Sequence, residues 1–106
     1  MSIIKYNKLV RDRIPESIEA SGKTCKTTVL DDTEYLRMLD TKLDEELAEY
    51  HKDHNIEELA DLLEVIYATA VARGYTVEEL ERVRKQKAEN RGAFKKRLFL
   101  YETDEL

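Results

Sequence analysis

Cys25 is the chain's single cysteine, so no intrachain disulfide can form, and a reducing compartment, the cytoplasm, is expected. Only two histidines occur, His51 and His54. They are too few for a zinc site and sit in a polar stretch that suits a solvated helix end. One proline and three glycines leave little chain for long loops or disorder. No apolar run approaches the roughly 18 residues a membrane-crossing helix needs. The start, Met1-Ser2-Ile3-Ile4-Lys5-Tyr6, lacks the apolar stretch of a signal peptide. Positive charge is in deficit: the net charge of −5 argues against general nucleic-acid binding.

What is present is apolar and charged in near-equal measure, at 42% and 39% of 106 residues. That balance suits one helical domain, residues 1–106, with charged outer faces. The charge is uneven along the chain. Acids concentrate between Asp31 and Glu64, while Arg82, Arg84, Lys85, Lys87, Arg91, Lys95, Lys96 and Arg97 form a basic stretch. Ordinary complementary helix faces explain most of these charges. An acidic half beside a basic half also suits a metal and a polyphosphate.

Hydrophobic spacing predicts a mainly α fold of four to five helices. Leu9, Val10, Ile14 and Ile18 give an apolar stripe to a first helix from about Asn7 to Ala20, with a kink or break at Ile14 from Pro15 and a stop at Gly22. Thr24–Leu30 is β-branched and short and reads as an extended segment or strand. Asp31, Asp32 or Thr33 caps a second helix carrying Leu36, Leu39, Leu43, Leu47 and Tyr50, which ends near Asp53-His54-Asn55. A third helix runs from Ile56 to Arg73-Gly74. Thr76 and Glu79 form a capping box that opens a fourth, reaching Arg91 or Phe94. Arg97–Tyr101 reads as a second short strand, a candidate partner for Thr24–Leu30.

The third helix has two apolar faces. Leu59, Leu62, Leu63, Ile66 and Ala70 make one; Val65, Ala68 and Ala72 make another, which Glu58 and Asp61 lead into. A helix apolar on both sides is normally covered on both. A chain this short is expected to cover the second face with another copy, as a homodimer or homotetramer.

The chemistry concentrates in two acidic motifs. Glu45-Glu46-Leu47-Ala48-Glu49 and Glu58-Leu59-Ala60-Asp61 each place carboxylates three residues apart, with Cβ atoms roughly 5–6 Å apart on a helix. Side by side, the two helices bring these carboxylates toward one point. Like charges that close repel unless a cation lies between them or some are protonated. Mg²⁺ and Mn²⁺ prefer such oxygen ligands. A solvated acidic face is the alternative for either motif alone; the pair favours a metal site.

On the fourth helix, Lys87 falls on the apolar stripe of Val77, Leu80, Val83 and Phe94, with Asn90 at its edge and Arg91 one turn on. A snorkelling lysine or a structural ion pair accounts for this. So does a phosphate site, with lysine as a point charge and arginine as a fork. Lys8, Arg11 and Arg13 surround Asp12 and read either as a solvated helix start or as ligands of a nucleotide triphosphate. Tyr50 and Tyr67 suit core packing, with base stacking as the alternative, and Cys25 reads as structural.

In these motifs the chain resembles the all-α nucleoside triphosphate pyrophosphatases, which include MazG, the dimeric dUTPases and phosphoribosyl-ATP pyrophosphohydrolase. Glu45-Glu46-x-x-Glu49 followed by Glu58-x-x-Asp61 looks like that superfamily's acidic signature. Lys87-Ala88-Glu89-Asn90-Arg91-Gly92-Ala93-Phe94 resembles the MazG-like K-x-x-N-R-G-x-F stretch, and Tyr6–Pro15 is similar to the opening of small MazG-like proteins. The resemblance implies a MazG-like bundle with two short flanking strands. It also implies Mg²⁺-dependent hydrolysis, with Mn²⁺ as an alternative, of the α–β phosphate bond of a nucleotide. By position, Glu46, Glu49, Glu58 and Asp61 would bind metal, with Glu45, Glu46 and Glu49 as the catalytic acids. Glu45 would position the attacking water. Lys87, Asn90 and Arg91, with Lys8 and Arg11, would hold phosphates. Only eight residues separate Glu49 from Glu58, fewer than is usual in the family, so a tight helix connection is expected. The alternatives are a phosphoribosyl-ATP pyrophosphohydrolase-like activity and a non-catalytic helical interaction module. No membrane or nucleic-acid partner is expected.

Overall fold

Local capping chemistry sets the helix boundaries in the computed structural model, which describes residues 2–105. Asp31 caps α2 (Asp32–Asp53), its side chain accepting from the Glu34 amide at 2.8 Å. Asn55 caps α3 (Ile56–Ala72) by accepting from the Glu58 amide at 3.0 Å. Thr76 caps α4 (Val77–Arg91) by accepting from the Glu79 amide at 3.0 Å. Each cap satisfies one of the orphan amides of a helix start and contributes about 1 kcal/mol. Helix ends are equally local. His54 takes a left-handed φ of 52° and returns its amide to the Tyr50 carbonyl at 2.8 Å. Gly74, at φ 94°, lets the Tyr75 amide reach back to the Ala70 carbonyl at 2.9 Å. The expected tight connection is present: only His54 and Asn55 lie between α2 and α3.

Two expectations need correction. The break expected at Ile14 is present, but the helical turns expected before it are not: α1 spans Ile14–Ala20, and residues 7–13 are not helical. Pro15 explains this, because its ring and missing amide are tolerated only in a helix's first turn. Asn7, at φ 47°, lies outside helical geometry as well. The second correction concerns strands. Neither Thr24–Leu30 nor Arg97–Tyr101 forms one, and no strand occurs among the described residues. A β-branched run is only competent for a ladder; without a facing strand it stays extended and solvated.

The mainly α expectation holds. α2 and α3 form an antiparallel hairpin, and α4 folds back along α3. Among the described residues α1 packs on none of the other helices. Leu39 on α2 is the one fully buried large side chain among them, and Glu46 is the other buried residue. The described chain measures 68 × 31 × 25 Å with a radius of gyration of 18.8 Å, against about 13 Å for a compact domain of this length.

Both faces of α3 are covered in part within the described chain. Glu58, Asp61, Val65, Ala68 and Ala72 are half-buried, and so are Leu62 and Ala70 of the other stripe. Leu59, Leu63 and Ile66 of the other stripe remain 43%, 44% and 36% exposed. The acids line the helix–helix contact, while Ile66 and Ala70 line a cavity with Leu43 of α2 and Leu80 of α4, and Leu59 and Leu63 stay exposed. None of the described helices is long and apolar enough to cross a membrane.

Candidate metal centre

The α2–α3 hairpin builds an acidic centre near its closed end. Glu46 from α2 meets Glu58 and Asp61 from α3, with one carboxylate oxygen of each within 4.8 Å of the others. A second group, Glu49, Asp53 and Glu58, meets the same criterion and shares Glu58 with the first. Of the residues read as metal ligands, Glu46, Glu49, Glu58 and Asp61 all fall in one or other triad. Asp53 was missed, although it lies one helical turn after Glu49, the spacing that makes neighbours.

The environment is graded. Glu46 is only 9% exposed. Its partner is Lys42, one turn earlier, whose ammonium lies 3.3 Å from Glu46 Oε1 and 3.2 Å from Glu45 Oε2. Lys42 was also missed; its i,i+3 and i,i+4 spacing to the two glutamates was the available signal. Glu45 belongs to neither triad. It instead accepts a hydrogen bond from Lys8 Nζ at 3.0 Å. Arg11 Nη2 donates to Asp61 Oδ1 at 2.7 Å. Both N-terminal pairs are substantially exposed, and such pairs contribute about 0–1 kcal/mol each.

Titration follows the same geometry. Glu58 is pushed above the ordinary carboxylate value, first by desolvation and then by the charges of Asp61, Asp53, Glu49 and Glu46. In Glu45, burial works upward, but hydrogen bonds from Lys8 and Lys42 outweigh it and hold the carboxyl below its usual value. The hydrogen bond to Glu45, with its charge, raises Lys8 in turn. Glu58 has no ion pair among the described residues to offset this crowding.

The donor set fits a hard divalent cation. All the donors are carboxylate oxygens, the ligand type of Mg²⁺ and Mn²⁺. His51 and His54 join neither triad. They lie beside Tyr50, with ring centroids 6.0 and 5.4 Å away. Tyr67 likewise has a structural partner: its hydroxyl donates to Glu81 at 3.4 Å between α3 and α4.

Lys87, Asn90 and Arg91 are not brought to the acids. All three are exposed on the last turns of α4, and none makes a hydrogen bond or ion pair among the described residues. Lys87 therefore does not face the core as its place on the apolar stripe suggests, because α4 contacts α3 along only part of its length. Of the basic side chains read as phosphate ligands, Lys8 and Arg11 are the ones that reach the centre.

No family model matches the chain, and no solved structure shows significant similarity to it. A stretch of 42 residues, 40% of this chain, is 62% identical to an uncharacterized protein of Mycolicibacterium smegmatis (strain ATCC 700084 / mc(2)155). The match spans 43% of that relative's length.

Proposed function

We propose that the chain is a metal-dependent nucleotide pyrophosphohydrolase of MazG-like type, which cleaves a nucleoside triphosphate between its α- and β-phosphates. The observation that carries this reading is the approach of Glu46, Glu58 and Asp61 from two helices, with carboxylate oxygens within 4.8 Å. Carboxylates this close, one of them buried, are costly to keep charged unless a cation compensates them. Glu46, Glu49, Glu58 and Asp61 would hold Mg²⁺ or Mn²⁺, and Asp53 would join Glu49 and Glu58. When bound, the cation supplies charge neutralisation and lowers the pKa of a coordinated water.

The remaining steps fall to the chain's own side chains. Glu45, whose carboxyl Lys8 and Lys42 hold below its usual value, would orient the attacking water. Phosphoryl transfer needs positioning and charge compensation more than covalent chemistry. Lys8 and Arg11, the cations beside the acids, would take the phosphate oxygens. The same reading has the protein act on the cytoplasmic nucleotide pool as a homodimer or homotetramer. The exposed stripe of Leu59, Leu63 and Ile66 supports self-association.

The test is pyrophosphate release from a panel of canonical and modified nucleoside triphosphates and phosphoribosyl-ATP, with Mg²⁺, with Mn²⁺ and with EDTA. Release should require the cation and fall at least about 100-fold in Asp61→Asn and Glu49→Gln. Release that persists in EDTA, or survives both substitutions, defeats the proposal. One observation favours an interaction module instead: Phe94, Leu98, Phe99, Leu100 and Tyr101 present a run of exposed apolar side chains. That reading predicts no turnover of any substrate and partner binding that ignores EDTA.

A further inference from the structure

We infer that the segment carrying Lys8 and Arg11 is a tethered counter-ion of the acidic centre, which cation and phosphate displace together. This rests on the metal-dependent reading of the centre. The segment precedes α1, is not helical, and makes no backbone ladder with the hairpin. Yet its two cations reach different helices. Lys8 pairs with Glu45 of α2 across 37 residues of sequence, and Arg11 with Asp61 of α3 across 50. Between them Leu9 and Val10 are half-buried. One of the two charges that hold the segment, Asp61, is one that a cation would also use, and the other, Glu45, adjoins the triad residue Glu46.

Competition is built into the geometry at Asp61. Its Oδ1 accepts from Arg11 at 2.7 Å, and Asp61 belongs to the triad with Glu46 and Glu58. A divalent cation taking Asp61 removes Arg11's partner and adds a like charge beside it. Glu58 has no ion pair among the described residues, so the cation meets least opposition there. Once displaced, Arg11 offers a fork and Lys8 a point charge next to the cation, the two geometries that hold phosphate oxygens. Phosphate then gives the freed side chains a new partner. Cation and polyphosphate therefore bind with positive coupling, each raising the other's affinity by the same factor.

Mn²⁺ binding, followed by electron paramagnetic resonance without nucleotide, tests this in the full chain. Arg11→Gln and Lys8→Gln should each bind Mn²⁺ roughly two- to fivefold more tightly than wild type, the range expected when an exposed competing ion pair is removed. Arg11→Lys, which keeps the charge, should stay near wild type. At saturating Mn²⁺, inorganic pyrophosphate should bind more weakly to both glutamine variants. Equal or weaker Mn²⁺ binding by both of them overturns the inference while leaving the metal site standing. No Mn²⁺ binding by any of the proteins overturns the metal reading and this inference with it.

Discussion

Removing Lys42 should expose the cost of burying Glu46. Lys42 Nζ lies 3.3 Å from Glu46 Oε1 and 3.2 Å from Glu45 Oε2, and the Lys42 and Glu46 side chains are only 14% and 12% exposed. At an effective dielectric of about 20, each contact is a gross attraction of roughly 5 kcal/mol. Desolvation of the charges offsets most of it, so the pair adds little net stability while intact. The asymmetry appears on truncation. Lys42→Met keeps the apolar stem but strands Glu46, and breaking a buried pair in this way costs about 3–5 kcal/mol. With the residual exposure, a loss of about 2–4 kcal/mol is expected, or roughly 10–25 °C in Tm for a domain of this size. Thermal unfolding in EDTA, followed by circular dichroism, measures it. Lys42→Met/Glu46→Gln should recover most of the loss, because the stranded charge is gone. Millimolar Mg²⁺ should restore the single variant but not the double one. A single variant as stable as wild type, or a double variant no better than the single, would refute the reasoning.

Two further outcomes are expected from the same charges and surfaces. Because Glu58 titrates above its unfolded value, the folded chain binds more protons than the unfolded one between those two values. The stability this provides is present at low pH and is lost as pH rises through the folded value. In EDTA, Glu58→Gln should therefore gain Tm on wild type as pH rises from the acidic side of the carboxylate range to neutrality; a difference that stays flat with pH counts against the crowding. On the apolar side, sedimentation equilibrium should find wild type as a dimer or larger, and Leu63→Glu shifted toward monomer. A monomeric wild type at tens of micromolar would mean that the stripe of Leu59, Leu63 and Ile66 is not a self-association surface.

The features legible in the sequence were those fixed by neighbours within a helical turn. Asp31 and Thr76, both read as caps, have an acidic residue three positions on and cap their helices; Asn55, not read as one, has the same spacing and caps α3. The acidic centre was legible for a related reason: carboxylates three apart share a face, and a connection of only His54 and Asn55 leaves two such faces little choice but to meet. The errors arose where the answer lay outside the local window. Thr24–Leu30 and Arg97–Tyr101 have strand composition, but a ladder needs a partner that composition cannot supply. Leu9 and Val10 continue the apolar spacing of Ile14 and Ile18, yet Pro15 keeps the helix from starting before Ile14. The position of Lys87 depends on how far α4 stays against α3, which no spacing within α4 records.

Both departures from an ordinary helical domain lie on α3. Toward α2 it presents Glu58 and Asp61, where a stability-driven sequence would place apolar residues. Toward solvent it presents Leu59 and Leu63, where such a sequence would place charges. Local violations that persist in a folded chain tend to mark function, and here Lys42 and Arg11 offset the charge of Glu46 and Asp61 while Glu58 has no ion pair among the described residues. On the reading proposed above each departure has a different remedy, a cation on one side and a second copy on the other. A rigid α3 ties the two together: anything that binds the folded hairpin and not the unfolded chain raises its apparent stability by mass action. With Leu39 the one fully buried large apolar side chain among the described residues, the protomer has little stability of its own to set against the repulsion among its carboxylates. Cation binding and self-association should therefore each strengthen the other, since both act on the same marginally stable hairpin from opposite faces of one helix.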